Sequence, residues 1–195
     1  MTPTVTGLRE RKGGRVAVEL DGTPWRVLPA DAVVRTALRV GCELDRPTAR
    51  ELARELRRAK ALAAATRSLA ASSRSQRDLE RHLARAGHSA AAREDAIAAL
   101  ERAGIVDDAR LAGARAEQLA RRGYGDAAIR VDLRRRFISA EIAAEAVAAL
   151  EPEIVRARRL LAGQSLTAAL LRRLSARGFS RDTLEEVTTA FAQEA

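Results

Sequence analysis

The chain has 195 residues, 35 Lys+Arg against 26 Asp+Glu, a formal charge of +9, 47% hydrophobic residues and only 3% aromatics. That length and apolar share are enough for a buried core and exclude wholesale disorder, and the scarcity of aromatics beside abundant Ala, Leu, Arg and Glu excludes an all-β body. One Cys and two His exclude an internal disulfide framework and supply too few soft ligands for a structural zinc site.

The N-terminal segment reads as strands. Val16, Val18 and Leu20 alternate with Ala17 and Glu19, the period of a half-buried strand. Gly13-Gly14 before it and Asp21-Gly22 after it suit hairpin turns that need positive φ. Trp25 and Val27 extend a third strand to Pro29, and residues near Thr4 to Arg11 are its counterpart on the other side. Asp31 opens a short helix through Ala32, Val33, Ala37 and Leu38, with Gly41 as its expected stop. Residues 1–44 therefore form a small β-hairpin and helix module, and Cys42 reads as a small apolar filler.

From Asp45 the pattern is helical. Asp45 caps and Pro47 sits in the first turn of a helix reaching about Ala71, with Leu52, Leu56, Ala59 and Ala63 on its expected inner face. Ser72-Ser73 end it, and Ser75-x-x-Asp78 starts the next helix as a capping-box variant.

A repeat then emerges. Leu79-x3-Leu83-x3-Gly87-His88-Ser89 aligns with Ile129-x3-Leu133-x3-Phe137-Ile138-Ser139 and with Leu170-x3-Leu174-x3-Gly178-Phe179-Ser180. Each is an amphipathic helix, a one-turn break, a Ser N-cap and a second helix. Phe137 stands where the other copies have Gly, which predicts a break of different construction there. Another helix precedes each pair, at roughly 48–71, 108–122 and 152–162, with Asp107-Asp108 capping the second and Pro152 in the first turn of the third. The expected architecture is mainly α: three tandem three-helix repeats, 45–104, 105–150 and 151–195, stacked into an elongated curved body behind the N-terminal module.

No catalytic constellation is present. Gly123-Tyr124-Gly125 lacks the third glycine and the strand of a dinucleotide fingerprint and reads as a C-cap and turn before an Asp126 cap. His82 and His88 have no nucleophile beside them in sequence, so no enzyme, cofactor or metal is expected. What remains is basic surface. Of the net charge, +6 falls within residues 46–104. Arg77, Arg81 and Arg85 lie four apart as a stripe that Arg74 extends, Arg130 and Arg134 repeat it beside Arg121 and Arg122, and Arg173 and Arg177 echo it. Each position is also what an ordinary solvated helix face would carry; the recurrence across repeats favours a binding surface.

The run Ala63-Ala64-Ala65-Thr66-Arg67-Ser68-Leu69 with Arg74-Ser75-Gln76-Arg77-Asp78-Leu79, the segment Gly104-Ile105-Val106-Asp107-Asp108, and Arg122-Gly123-Tyr124-Gly125 followed by Ile129, Leu133 and Ile138-Ser139 resemble, in order and spacing, the bacterial regulatory RecX family over about residues 60–192. Leu111 replaces that family's usual aromatic and Phe137 its usual glycine. The resemblance implies a non-enzymatic modulator that lies in the groove of the RecA filament on single-stranded DNA and inhibits ATP hydrolysis, strand exchange and filament growth. The ten arginines named above are its candidate contacts to RecA or DNA. A direct DNA-binding helical module acting without RecA is the alternative, and weak DNA contact is compatible with either reading. An adaptor for another acidic partner is a third. A cytoplasmic monomer without membrane contact is expected, since about eighteen uncharged apolar residues in a row occur nowhere and Met1 to Arg11 has no signal-peptide core.

Overall fold

The computed structural model describes residues 2–194. Three strands, β1 (Val5–Arg11), β2 (Arg15–Leu20) and β3 (Thr23–Pro29), precede the helices α1 (Ala30–Arg35), α2 (Arg46–Ala71), α3 (Gln76–Arg85), α4 (Ala90–Arg102), α5 (Asp108–Arg121), α6 (Asp126–Arg135), α7 (Ala140–Ala148), α8 (Glu153–Leu161), α9 (Ala168–Ala176) and α10 (Arg181–Glu194). The fold is mostly helical with a small N-terminal sheet, as the composition predicts. The chain separates into two compact units. One holds everything up to Ser72 together with Leu79–Ile105; the other holds Ser73–Asp78 and everything from Val106 onward.

In the first unit, β1, β2 and β3 form an antiparallel meander in that order. Val16, Val18 and Leu20 turn inward, as their alternation requires. Asp21 (φ +46°) and Gly22 (φ +79°) make the left-handed pair of a two-residue hairpin turn. The outer edge of β1 is covered by residues 41–44: Val5 N–H donates to Cys42 O and Gly41 N–H to Val5 O, each at 2.8 Å. Gly41 therefore serves the sheet and does not stop α1. That helix ends at Arg35, because Ala37 takes a left-handed conformation (φ +48°) and Leu38 N–H closes back on Val33 O at 3.0 Å.

Asp45 caps α2 by accepting from Thr48 N–H at 2.9 Å, and Pro47 lies in the first turn. The buried face differs from the expected one. Leu52 joins the core of the sheet and α1, whereas farther along it is Ala61, Ala65 and Ser68 that are buried and Ala63 is exposed. The two halves of α2 have different partners at different azimuths: sheet and α1 first, then Ala92 and Ala96 of α4. Ala against Ala lets the two helices approach closely while burying little area.

The break after the middle helix is built identically in all three copies. Gly87, Phe137 and Gly178 adopt φ of +80°, +62° and +84°. The following residue donates back to the second Leu of the motif: His88 to Leu83 O, Ile138 to Leu133 O, Phe179 to Leu174 O. The expectation of a different break at Phe137 is thus overturned. The hydrogen-bond pattern of the turn holds a phenylalanine in a conformation that costs roughly 1–2 kcal/mol for a residue with a Cβ. Ser139 and Ser180 cap as expected, accepting from Ile142 and Thr183 N–H at 3.2 Å. Ser89 makes no cap bond. That turn is tied instead by Arg93, which donates to His88 O at 2.7 Å and to Glu80 at 2.9 Å.

Two cores are seen among the described residues of the second unit. One gathers Ala112, Ala116, Leu119, Ile129, Leu133, Ile138, Ala143, Ala146 and Val147 from α5–α7, with Tyr124 packed against it. The other gathers Ala157, Leu161, Leu170, Leu174, Phe179 and Val187 from α8–α10.

Candidate interaction surface and the joints behind it

Arg77, Arg81 and Arg85 are exposed along α3, on the side away from the fully buried Leu79 and Leu83. Arg85 Nε donates to Arg81 O at 3.3 Å. Arg74 does not extend this stripe: it is half-buried and bonds Asp78 at 2.7 Å. Arg130 and Arg134 are exposed on α6, with Arg130 3.9 Å from Asp126. Arg121 is exposed beside Glu117 at 3.8 Å, and Arg122 lies over the Tyr124 ring, 5.9 Å from its centre. Arg173 is exposed on α9, whereas Arg177 is half-buried and its carbonyl accepts from Gly125 N–H. Eight of the ten candidates thus face solvent; Arg74 and Arg177 are drawn into the fold. His82 and His88 are half-buried. Among the described residues no group of three or more His, Cys, Asp or Glu is placed to hold a metal ion, and no helix is long and apolar enough to cross a membrane.

The joints that set these helices do not show in the spacing of the sequence. Two are made on one plan, each at the start of a middle helix. At the first, Ser75 Oγ donates to Arg136 O at 2.6 Å and accepts from Asp78 N–H, while Gln76 N–H donates to the carboxylate of Asp108, the first residue of α5. At the second, Gly125 N–H donates to Arg177 O at 2.9 Å, while Asp126 N–H donates at 2.6 Å to the carboxylate of Glu153, the first residue of α8. The other Glu153 oxygen accepts from Ser180 N–H and the Thr183 hydroxyl. An acid at the first position of a helix serves its own helix dipole and a neighbouring N-terminus together.

Asp126 is not a cap, contrary to expectation; Gly125 holds the cap position and Asp126 is the first helical residue. Its side chain instead pairs with Arg156, which is 7% exposed and also donates to Tyr124 O at 3.0 Å and Glu151 O at 2.9 Å. Pro152 is likewise the residue before α8 and not within its first turn. Arg115 grips Asp132 with two hydrogen bonds of 2.8 and 2.9 Å.

These contacts shift the carboxyls. The Arg115 hydrogen bonds hold Asp132 below its ordinary value of 3.8 against the opposing effect of burial, with help from Arg136. Burial pushes Glu153 up, but the hydrogen bonds from Asp126, Ser180 and Thr183 together outweigh it and leave the group below its ordinary 4.5. Burial raises Asp108 despite the Gln76 N–H. A carboxyl lowered in the folded state stabilises fully above its unfolded value, and that stabilisation is lost as pH falls through the folded value. Through Asp132 and Glu153 the thermal midpoint of the protein is therefore expected to hold from neutrality down to about pH 5 and to fall in more acid solution, with the raised Asp108 acting in the opposite sense as it takes up its proton. A Glu153→Gln, Asp132→Asn variant will start lower and lose less on acidification; parallel acid limbs for variant and wild type would refute the assignment.

The fold defines a class: mostly helical repeat proteins with a small N-terminal three-stranded sheet. Residues 107–147 match the family model for the second three-helix domain of RecX. A crystal structure of regulatory protein RecX superposes with TM-score 0.81 at 20% identity, covering 96% of this chain and 99% of that one. A crystal structure of RecX from Lactobacillus salivarius gives TM-score 0.61 at 17% identity over 70% of this chain and 97% of that one. No curated protein matches the sequence. The resemblance to the RecX family is borne out: by sequence in the segment carrying Asp107-Asp108 and Gly123-Tyr124-Gly125, and by fold over nearly the whole chain.

Proposed function

We propose that this protein is a RecX-type regulator that binds the RecA filament on single-stranded DNA, lies in its groove and restrains ATP hydrolysis, strand exchange and filament growth. The observation that carries the reading is the RecX match over residues 107–147 within a chain of RecX fold. In this reading residues 45–104, 105–150 and 151–195 are three repeats and 1–44 an appended module. It acts as a monomer in the cytoplasm, without a cofactor. Arg77, Arg81, Arg85, Arg121, Arg122, Arg130, Arg134 and Arg173 supply charge to an acidic protein groove or to phosphates, with no chemistry required. A ligand that prefers one filament state shifts assembly by its differential affinity.

The test is RecA-catalysed ATP hydrolysis and strand exchange titrated with this protein. Inhibition is expected at ratios below one regulator per protomer. Arg77→Ala, Arg81→Ala and Arg85→Ala together should raise the half-inhibiting concentration about tenfold, from roughly 0.5 kcal/mol per exposed charge contact. No inhibition at several-fold excess would refute the reading. Unchanged inhibition by the triple variant would show that the stripe is ordinary solvated surface.

A further inference from the structure

The first unit carries an open groove of about 960 Å³ that the regulator reading leaves unused. One wall is the end of β3 with the start of α1, and the other is the middle of α2. Its floor is aliphatic, from Val27, Leu28, Ala32, Leu56 and Leu62. Val27 is 49% exposed, an unusual position for a β-branched side chain on a sheet face that other elements cover nearby.

The rim is basic. Arg15, Arg26, Arg35, Arg58, Lys60 and Arg67 line the groove against two acids, Asp31 and Glu55. Glu55 is already committed to arginines, 3.3 Å from Arg58 and 3.9 Å from both Arg35 and Arg54. The charge left over is positive and flanks an apolar trough. Trp25, the aromatic nearest in sequence, lies outside the lining.

We propose that this groove receives an acidic segment of a partner protein that also carries aliphatic side chains, its carboxylates meeting the rim and its Leu- or Val-type side chains covering Val27 and the α2 floor. Charge complementarity names the sign of the occupant and the aliphatic floor names its other face. A nucleic-acid strand suits the rim equally well but not the floor, where its bases would lie on Ala, Val and Leu without a ring to stack on.

The probe is a fluorescein-labelled peptide of Glu and Leu in amphipathic order, titrated with the full-length protein by fluorescence anisotropy. Its Lys-for-Glu counterpart and an oligothymidylate of matching charge serve as comparisons. Expected is saturable binding of the acidic peptide in the micromolar range, weakened at least about tenfold by Lys60→Glu with Arg67→Glu and, separately, by Val27→Asp. Lys60 and Arg67 are exposed, so the double variant is expected to melt with the wild type, which a thermal scan checks. Binding that ignores both variants, absence of binding at half-millimolar protein, or tighter binding of oligothymidylate that the same substitutions abolish would each overturn the proposal. The assay contains no RecA, so its failure and that of the regulator reading are separable.

Discussion

Gly125→Ala is expected to lower the unfolding free energy of the second unit by about 3 kcal/mol or more, at the upper end of what overpacking costs. A Cβ placed there would sit 2.3 Å from both Gly178 O and Phe179 N, and both are main chain that no side-chain rotation can move. Gly125 has ordinary negative φ (−82°), so the glycine is required for space and not for conformation. The obstruction is mutual, since a Cβ on Gly178 would meet Ala128 N at 2.5 Å. The same displacement would pull Gly125 N–H from Arg177 O and Ala127 N–H from Gly178 O. Urea titration of the full chain, followed by hydrogen exchange of the Gly125 and Ala127 amides, measures both effects. Gly113→Ala is the control, because nothing lies within 4 Å of a Cβ there. Equal stability of the two variants would refute the close approach.

Arg156→Met is expected to be nearly as damaging, by about 2–4 kcal/mol. The guanidinium is 7% exposed and satisfies three separate groups: Asp126, the Tyr124 carbonyl and the Glu151 carbonyl. Met retains much of the packing, so the loss reads a carboxylate left with only the exposed Arg130, 3.9 Å away, and the two deserted carbonyls. Asp126 is itself partly exposed, which keeps the cost below that of a fully buried orphan. A double-mutant cycle with Asp126→Asn separates the pair from the carbonyl contacts. Arg156→Met should cost much less in the Asp126→Asn background, with a coupling of about 1 kcal/mol or more; additive effects would show that the pair contributes nothing beyond its members.

What the sequence discloses here is local. Val16, Val18 and Leu20 between glycine turns declare their strand, and Asp45 and Asp107 declare helix starts because a cap acts within three residues. The Leu-x3-Leu-x3-Gly spacing declares the repeat. The rest has two causes: partners far away in the chain, and local closures that residue spacing does not reveal. Arg156 looks like one more basic residue of α8 until Asp126, thirty residues upstream, is placed beside it. Arg74 matches the stripe by spacing, yet the turn before α3 directs it to Asp78. Ala37 and Phe137 take left-handed backbone that only their closing hydrogen bonds explain. One signal for the joints was present: an acid recurs at the first position of α5 and of α8, as Asp108 and Glu153.

Those joints bear on how such proteins drift. Gln76 and Asp126 are engaged through their amides, and Arg136 and Arg177 through their carbonyls. A seam stitched from peptide groups is blind to what the residues carry outward. Substitution can then sweep across the outer faces while a small set — a serine or glycine at the seam, an acid opposite, a tight turn after the second leucine — keeps the architecture in register.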